Sequence, residues 1–474
     1  MKKILGFATI AISLLMATGP IAFGHVLSTN SSSTDFVYSA NPIAVQLSPD
    51  SIIPQAVPYC SSHSLGSIIC YSPNFIRTAY NVPSSPDGSG QTIVIVDAFG
   101  SPTIQNDLAV FDHTFGLPAP PSFQIICGTG GCPTLAPGNI PHDEVGWTIE
   151  TSLDVEWAHA IAPGANIVLD VASTSSGNSI NVAEATAIQQ FPGSIMSQSF
   201  GIPEYLITAN NAQVMQADSN YQAAMNAKIT VLASAGDSGA TNGISTANAL
   251  YPSSNPFNTA VGGTEGNPYL PPGTAFSCAP NKTCTSGLVV LNGGANGCAL
   301  GPRPGFPTSC IPTRYGGEQV WNEPQFDAAT GGSSSLLYGL PSYQQGLGLT
   351  ARTTPDVSYD GAVNGGVLVY YTALGSPTWF VVGGTSAGSP QWAGIMALAN
   401  QLAGHPLGFI NTAIYKVAQS SNYKKDFHDI TVGNNQLVGT QVGFDATKGY
   451  DPASGWGTPN VANLLPDLVA VASS

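Results

Sequence analysis

The stretch "QTIVIVDAFG", residues 91–100, runs four β-branched apolar residues together without alternation and ends on Asp97 and a glycine turn. Such a run reads as a strand buried on both faces, which is what a parallel sheet covered by helices requires. The same reading applies to "ANIVLDVA" (165–172), "SIMSQSFG" (194–201), "KITVLASAG" (228–236) and "TWFVVGGTS" (378–386). Between them, "GWTIETSLDVEWAHAIA" (146–162), "SINVAEATAIQQF" (179–191) and "ITANNAQVMQADSNYQAAMNA" (207–227) read as helices. Alternating strands and helices predict an α/β fold: a doubly wound parallel sheet with helices on both faces. It is expected as one domain over 59–474.

The chain opens with "MKKILGFATIAISLLMATGPIAFG", whose lysines, apolar run and small residues follow the order of a secretory signal, so residues 1–24 are expected to direct export. Residues 25–58 are rich in Ser, Thr, Asn and Pro and read as an extended lead-in or short prosegment remnant. An even count of 8 cysteines in an exported chain argues for disulfides. Nearest-neighbour pairing (Cys60/Cys70, Cys127/Cys132, Cys278/Cys284, Cys298/Cys310) is the simplest connectivity, and none has the C-x-x-C spacing of a zinc or redox site. The Gly/Pro/Thr-rich segment 266–317 carries four of them and is expected to be a disulfide-tied surface insertion.

Only 8% of residues are charged, with 12 Lys+Arg against 27 Asp+Glu and a net charge of −15. That balance argues against nucleic acid or an anionic membrane surface as a partner. At low pH the carboxylates neutralise and few positive charges remain to repel one another, so acid tolerance is expected.

In "GGTSAGSPQWAG" (383–394) a glycine-rich turn delivers Ser386 to the start of a helix, where backbone N–H groups stand beside its hydroxyl. A serine nucleophile needs a base. None of the seven histidines (His25, His63, His113, His142, His159, His405, His428) has an H-G-T-H context. Glu150 and Asp154 offer an alternative: at i, i+4 they share one helix face, and Leu153, Val155, Trp157, Ala158 and Ile161 make the surroundings apolar. Paired carboxyls near an apolar core have raised, coupled pKa values suited to acid–base work. A third acid, Asp237 in "VLASAGDSGA" (231–240), follows an apolar strand at the sheet edge where parallel sheets place their sites.

Glu150-x-x-x-Asp154, Asp237 within Ser-Ala-Gly-Asp-Ser-Gly, and Gly-Thr-Ser386-Ala-Gly-Ser-Pro, in that order, resemble the sedolisin family of serine-carboxyl peptidases. Further similar stretches are "SQSFGIPE" (197–204), "YPSSNPFNTAVGGTE" (251–265), "TTPDVSYDG" (353–361) and "GYDPASGWGTP" (449–459). The resemblance implies a subtilisin-like fold in which Glu150 is the base for Ser386, Asp154 orients Glu150 and shares its proton, and Asp237 donates in the oxyanion hole. It implies that Asp97 extends the carboxyl network and that Ser199, Phe200 and Gly201 offer backbone to an extended substrate. It also implies a calcium ion held by Asp429 and Asp451 carboxylates with the carbonyls of Ile430, Thr447 and Gly449; oxygen-only ligation suits Ca²⁺. Thr447 stands where relatives usually have glycine. Family members usually carry a large folded prosegment, so the short stretch before the peptidase-like region is a departure.

The function expected is that of a secreted, acid-acting endopeptidase, working as a monomer on peptide or protein substrates. Tripeptidyl exo-action and an inactive, peptide-holding domain are the alternatives.

Overall fold

The computed structural model describes residues 35–40, 42–49, 51, 53, 59–128, 131–266, 299–300, 307–309, 315 and 317–473. The expected signal segment 1–24, most of the expected insertion 266–317 and the expected pairs Cys278/Cys284 and Cys298/Cys310 lie outside these. Strands used below are β1 (Ile43–Gln46), β2 (Tyr59–Ser62), β3 (Gly66–Tyr71), β4 (Thr92–Ala98), β5 (Phe123–Cys127), β6 (Asn166–Ala172) and β7 (Ile195–Gln198). They continue as β8 (Thr230–Ser234), β9 (Thr259–Glu265), β10 (Gln319–Val320), β11 (Val357–Asp360), β12 (Gly366–Tyr371) and β13 (Thr378–Gly383). The helices are α1 (Ile104–Phe115), α2 (Val145–Ile161), α3 (Gly177–Gln190), α4 (Ala212–Asn226) and α5 (Thr385–Ala403).

An eight-stranded sheet forms the centre, in the order β10-β9-β8-β7-β4-β6-β5, with β11 also paired to β9. All pairings are parallel except that of the short edge strand β10. The order leaves β4 in the middle: β6 runs along one side of it and β7 along the other. This is the doubly wound α/β architecture expected, and its C-terminal edge brings together Asp97 (end of β4), Ser199 (after β7) and Asp237 (after β8).

The strand 378–386 does not join this sheet. β13 ends at Gly383 and lies in a second, five-stranded sheet, β1-β13-β12-β3-β2. It pairs antiparallel with β12 on one side and β1 on the other. A continuous apolar run reports burial on both faces, and a central antiparallel strand under helices satisfies that as well as a parallel one does. The lead-in is likewise part of the fold: Phe36, Tyr38, Ala40, Ala44, Val45 and Leu47 are buried. The cysteine pairs Cys60–Cys70 and Cys127–Cys132 are disulfides.

Helix α2 is buried around its whole circumference, carboxyls included. It lies against α5 at close range, because a Cβ on Gly394 would come within 2.6 Å of Ile161 Cβ. Only glycine permits that approach.

Buried carboxyls are unusually numerous. Burial pushes Asp97 up to about 7, Glu184 to about 6 and Asp170 to about 8, and carries Glu150, Asp154, Glu156 and Asp360 well above the ordinary range. A carboxyl with a raised folded-state pKa contributes full stability below its unfolded value of ~4 and loses it as pH climbs through the folded value. The melting temperature, measured by calorimetry with chelator present throughout, should therefore fall substantially between pH 4 and pH 8. A value equal or higher at pH 8 would contradict this linkage.

Candidate active site

Gly384 begins the site. Its φ of +125° is left-handed territory, and a Cβ there would sit 2.9 Å from Asp237 Oδ2. Glycine thus allows the Asp237 carboxyl to lie directly under the turn that starts α5. Oδ1 of Asp237 accepts from the Thr385 backbone N–H (2.7 Å) and from the Thr385 hydroxyl (2.8 Å). With Oδ1 occupied, Oδ2 is the oxygen facing the turn. The Thr385 hydroxyl itself accepts from the Gly236 N–H (3.0 Å), so the two loops lock together.

Ser386 follows as the second residue of α5, and its side chain reaches the surface of a cavity. At this position its own N–H is one of the helix's first donors, which have no intrahelical partner. Pro390 sits four residues on, inside the helix, and has no N–H to give to the Ser386 carbonyl. That carbonyl lies 3.4 Å from the Ser199 hydroxyl instead, while the same hydroxyl makes a shorter bond, 2.9 Å, to Asp154 Oδ1. A single proton serves one acceptor at a time, and the shorter contact favours Asp154.

Behind Ser386 lie Glu150, Asp154 and Asp97, all fully buried. Burial raises Glu150 first, then the charges of Asp154 and Asp97, while nearness to Ser386 pulls it back. Neither Glu150 oxygen has a hydrogen bond of good geometry at rest, nor does Asp154 Oδ2 or either Asp97 oxygen. Asp154 is raised by burial and by Asp97, and lowered by Ser199. Asp97 is raised by burial and eased by Thr151. Three carboxyls this close in a dry site cannot all ionise, so they hold protons as a group.

The cavity, about 180 Å³, is lined by Ser386, Asp237, Thr385, Ser199, Phe200 and Gly201 among others, with no histidine among its described lining. His159, on α2, bonds the Pro118 carbonyl (2.8 Å) and lies 3.3 Å from Asp112. His428 is stacked on Tyr315 at 3.5 Å. Phe200 is packed in a buried aromatic group with Tyr38 and Trp147. Its side chain is core, whereas the Gly201 backbone faces the cleft.

The two C-terminal segments meet. Asp429 Oδ1 accepts from the Tyr423 hydroxyl (2.9 Å) and the Gly449 N–H (2.9 Å). Asp451 Oδ2 accepts from the Thr447 N–H (2.8 Å), and its Oδ1 from the Ala453 and Ser454 N–H groups (3.0 and 2.9 Å). The loops carrying Asp429, Thr447, Gly449 and Asp451 are therefore one unit, with oxygen as its donor chemistry.

Thr385, Gly384 and Pro390 are positioning residues that motif reading passed over. Thr385 and Pro390 stand within the quoted G-T-S-x-x-x-P pattern, but their partners are far away in sequence.

The fold and the site define an α/β protein that sets a serine at a helix start against buried carboxyls. No family model matches the chain. Kumamolisin of Bacillus sp. (strain MN-32) is 30% identical over 414 residues, covering 85% of this chain and 64% of kumamolisin. Sedolisin of Pseudomonas sp. (strain 101) is 25% identical over 406 residues, 83% of this chain and 60% of sedolisin. Human (Homo sapiens) tripeptidyl-peptidase 1 is 26% identical over 433 residues, 86% of this chain and 66% of that protein. The chain thus spans a little under two thirds of these relatives' length. The solved structure of Pseudomonas sedolisin, a serine-carboxyl proteinase complexed with two molecules of pseudo-iodotyrostatin, matches with a TM-score of 0.65 at 24% identity, covering 85% of this chain and 98% of that one. These relatives support the sedolisin family as the one this chain is similar to over most of its length.

Proposed function

We propose that this chain is a serine-carboxyl endopeptidase, exported and acting in acid. What carries the reading is Ser386, at a helix N-terminus and open to the cavity, backed by the buried group of Glu150, Asp154 and Asp97. Glu150 takes the Ser386 proton as the oxygen attacks the peptide carbonyl, then returns it to the departing amine. Asp154, oriented by the Ser199 hydroxyl, shares the proton that Glu150 acquires. The oxyanion is received by the Ser386 N–H and a protonated Asp237, each such donor contributing on the order of 3 kcal/mol.

The test is covalent: a peptide aldehyde should label Ser386, and mass spectrometry of a digested protein mixture across pH should show internal cleavages. Release of tripeptides alone would favour exo-action. Absence of both labelling and cleavage at every pH would favour a peptide-holding domain.

Export is supported by the opening 24 residues; among the described residues no helix is long and apolar enough to cross a membrane.

We further propose that the unit of Asp429 and Asp451, with the carbonyls of Ile430, Thr447 and Gly449, holds Ca²⁺. Its all-oxygen donor set and two carboxylates fit a hard cation. An ion that prefers the native state stabilises it by mass action. Chelation near neutral pH should therefore lower the melting temperature, and calcium, but not magnesium, should restore it. An identical melting temperature with and without calcium would remove the ion.

A further inference from the structure

Asp237 and Asp327 are the only charged side chains among the described lining of the cavity, and no lysine, arginine or histidine there balances them. Asp237 is held by Thr385. Asp327 is exposed, and its carboxylate makes no hydrogen bond or ion pair with the described residues.

The backbone fixes where that carboxylate stands. Residues 322–323 and 328–329 pair antiparallel, with Asn322 opposite Ala329 and Glu323 opposite Ala328. In the turn between them Phe326 is buried in one core with Ile43 and Val381, and the Asp327 N–H donates to the Pro324 carbonyl (3.2 Å). The Ala329 N–H donates to the Asp237 carbonyl (3.0 Å), which ties the turn to the loop that carries Asp237. Ile43 lies opposite Gly383, so Phe326 and Asp327 stand at the end of the cavity where β13 runs into Gly384 and Ser386.

Asp327 has φ +52°, a left-handed conformation that glycine takes without cost and that aspartate tolerates. Aspartate in a turn is ordinarily explained by a bond from its carboxylate to nearby backbone. Asp327 makes no such bond, so turn chemistry does not account for its charge. What remains is an acceptor aimed at whatever lies in the cleft.

We propose that Asp327 is a specificity residue that selects peptides carrying a lysine or arginine near the scissile bond. The inference rests on the peptidase reading of the site. A basic side chain brings N–H donors and the opposite charge to an acceptor that otherwise faces water. An acidic side chain at the same place meets like charge and is disfavoured. Because Asp327 is exposed, the pair is modest in strength and is screened by salt. The preference is therefore a graded one, read in kcat/KM.

The test uses internally quenched peptides that differ at one position only, as Lys, Gln or Glu, scanned along both sides of the scissile bond at pH 5 and low salt. In the parent protein the Lys peptide should exceed the Gln peptide in kcat/KM by about fivefold at one position, and the Glu peptide should fall below both. Asp327→Asn, which suits the same φ, should bring the Lys-to-Gln ratio there to about one, and Asp327→Lys should favour Glu over Gln. In about 1 M salt the parent's ratio should shrink. Each quantity is a ratio within one preparation, so a variant that merely folds poorly does not imitate the result. A Lys-to-Gln ratio of one at every position in the parent, or a ratio unchanged in Asp327→Asn, would overturn the proposal. Binding of the same peptides to Ser386→Ala, read by fluorescence anisotropy, separates this subsite from the chemistry. Should no form cleave or label while the Lys peptide still binds more tightly than the Gln peptide in an Asp327-dependent way, the peptidase reading fails and the subsite stands. Equal binding of the two peptides without cleavage would overturn both.

Discussion

Ser386→Ala and Glu150→Ala will each lower kcat by about a thousandfold or more while leaving the melting temperature at pH 4 within a few degrees of the parent. In the proposed mechanism the two side chains form one proton-transfer unit, so removing either leaves the other without a role, and the double variant should be scarcely worse than the singles. Loss of the Ser386 hydroxyl changes little volume in a side chain that opens onto the cavity. Loss of the Glu150 carboxyl leaves a small void in α2, but it also removes one of three crowded acids whose oxygens, Asp154 Oδ1 apart, have no well-formed partner. Those effects oppose each other, the first destabilising and the second relieving. Glu150→Gln separates them: it keeps the volume, cannot accept the proton, and should be equally inactive. Retention of more than about a tenth of the parent kcat by Glu150→Ala would remove it as the base. The same retention by Ser386→Ala would remove the acyl-enzyme.

Much of this site is legible in the sequence because its chemistry is local. Glu150 and Asp154 lie one helical turn apart, and Ser386 and Asp237 each stand in a glycine turn after an apolar run. The pattern of buried strands also carries the α/β class. What the sequence does not carry is partnership over long separations. Nothing in the local context "SPTW" (376–379) marks β13 as antiparallel, because hydrophobic periodicity reports burial and not the direction of the neighbour. Ser199 serves Asp154 and the Ser386 carbonyl across 45 and 187 residues. Thr385 holds Asp237 across 148 residues. The lead-in is the plainest case: by composition residues 25–58 read as extended and polar, yet Phe36, Tyr38, Ile43, Val45 and Leu47, among its described residues, find a core. A sparse apolar pattern becomes a strand only when a sheet edge is waiting, and that edge is built by residues more than three hundred positions later.

In the proposed mechanism, the dependence of activity on pH follows from asking neighbouring carboxyls to do opposite things. Glu150 must be able to accept a proton, whereas Asp237 must keep one to donate to the oxyanion. Burial raises Glu150, Asp154 and Asp97 together, so the group loses its first proton above the usual carboxylate value of ~4. That ionisation sets the acid limb: below it the base is blocked. The same mechanism assigns the alkaline limb to Asp237. Its Oδ1 accepts two hydrogen bonds from Thr385, and the mechanism places the proton on Oδ2, the oxygen against Gly384. As pH rises that proton is lost, and an ionised Asp237 repels the developing negative charge it should stabilise. Activity should be bell-shaped with its maximum in the upper part of roughly pH 3–5, above the acid limb that burial raises. Asp237→Asn provides the decisive comparison. An amide oxygen can still accept from Thr385 while its NH₂, which cannot ionise, donates from the position of Oδ2. The variant should be weaker at the optimum, since a neutral amide is a poorer donor than a carboxylic acid, but its activity should persist to higher pH than the parent's. A parent optimum at pH 7 or above, or an alkaline limb that stays in place in Asp237→Asn, would show that another group controls the loss of activity.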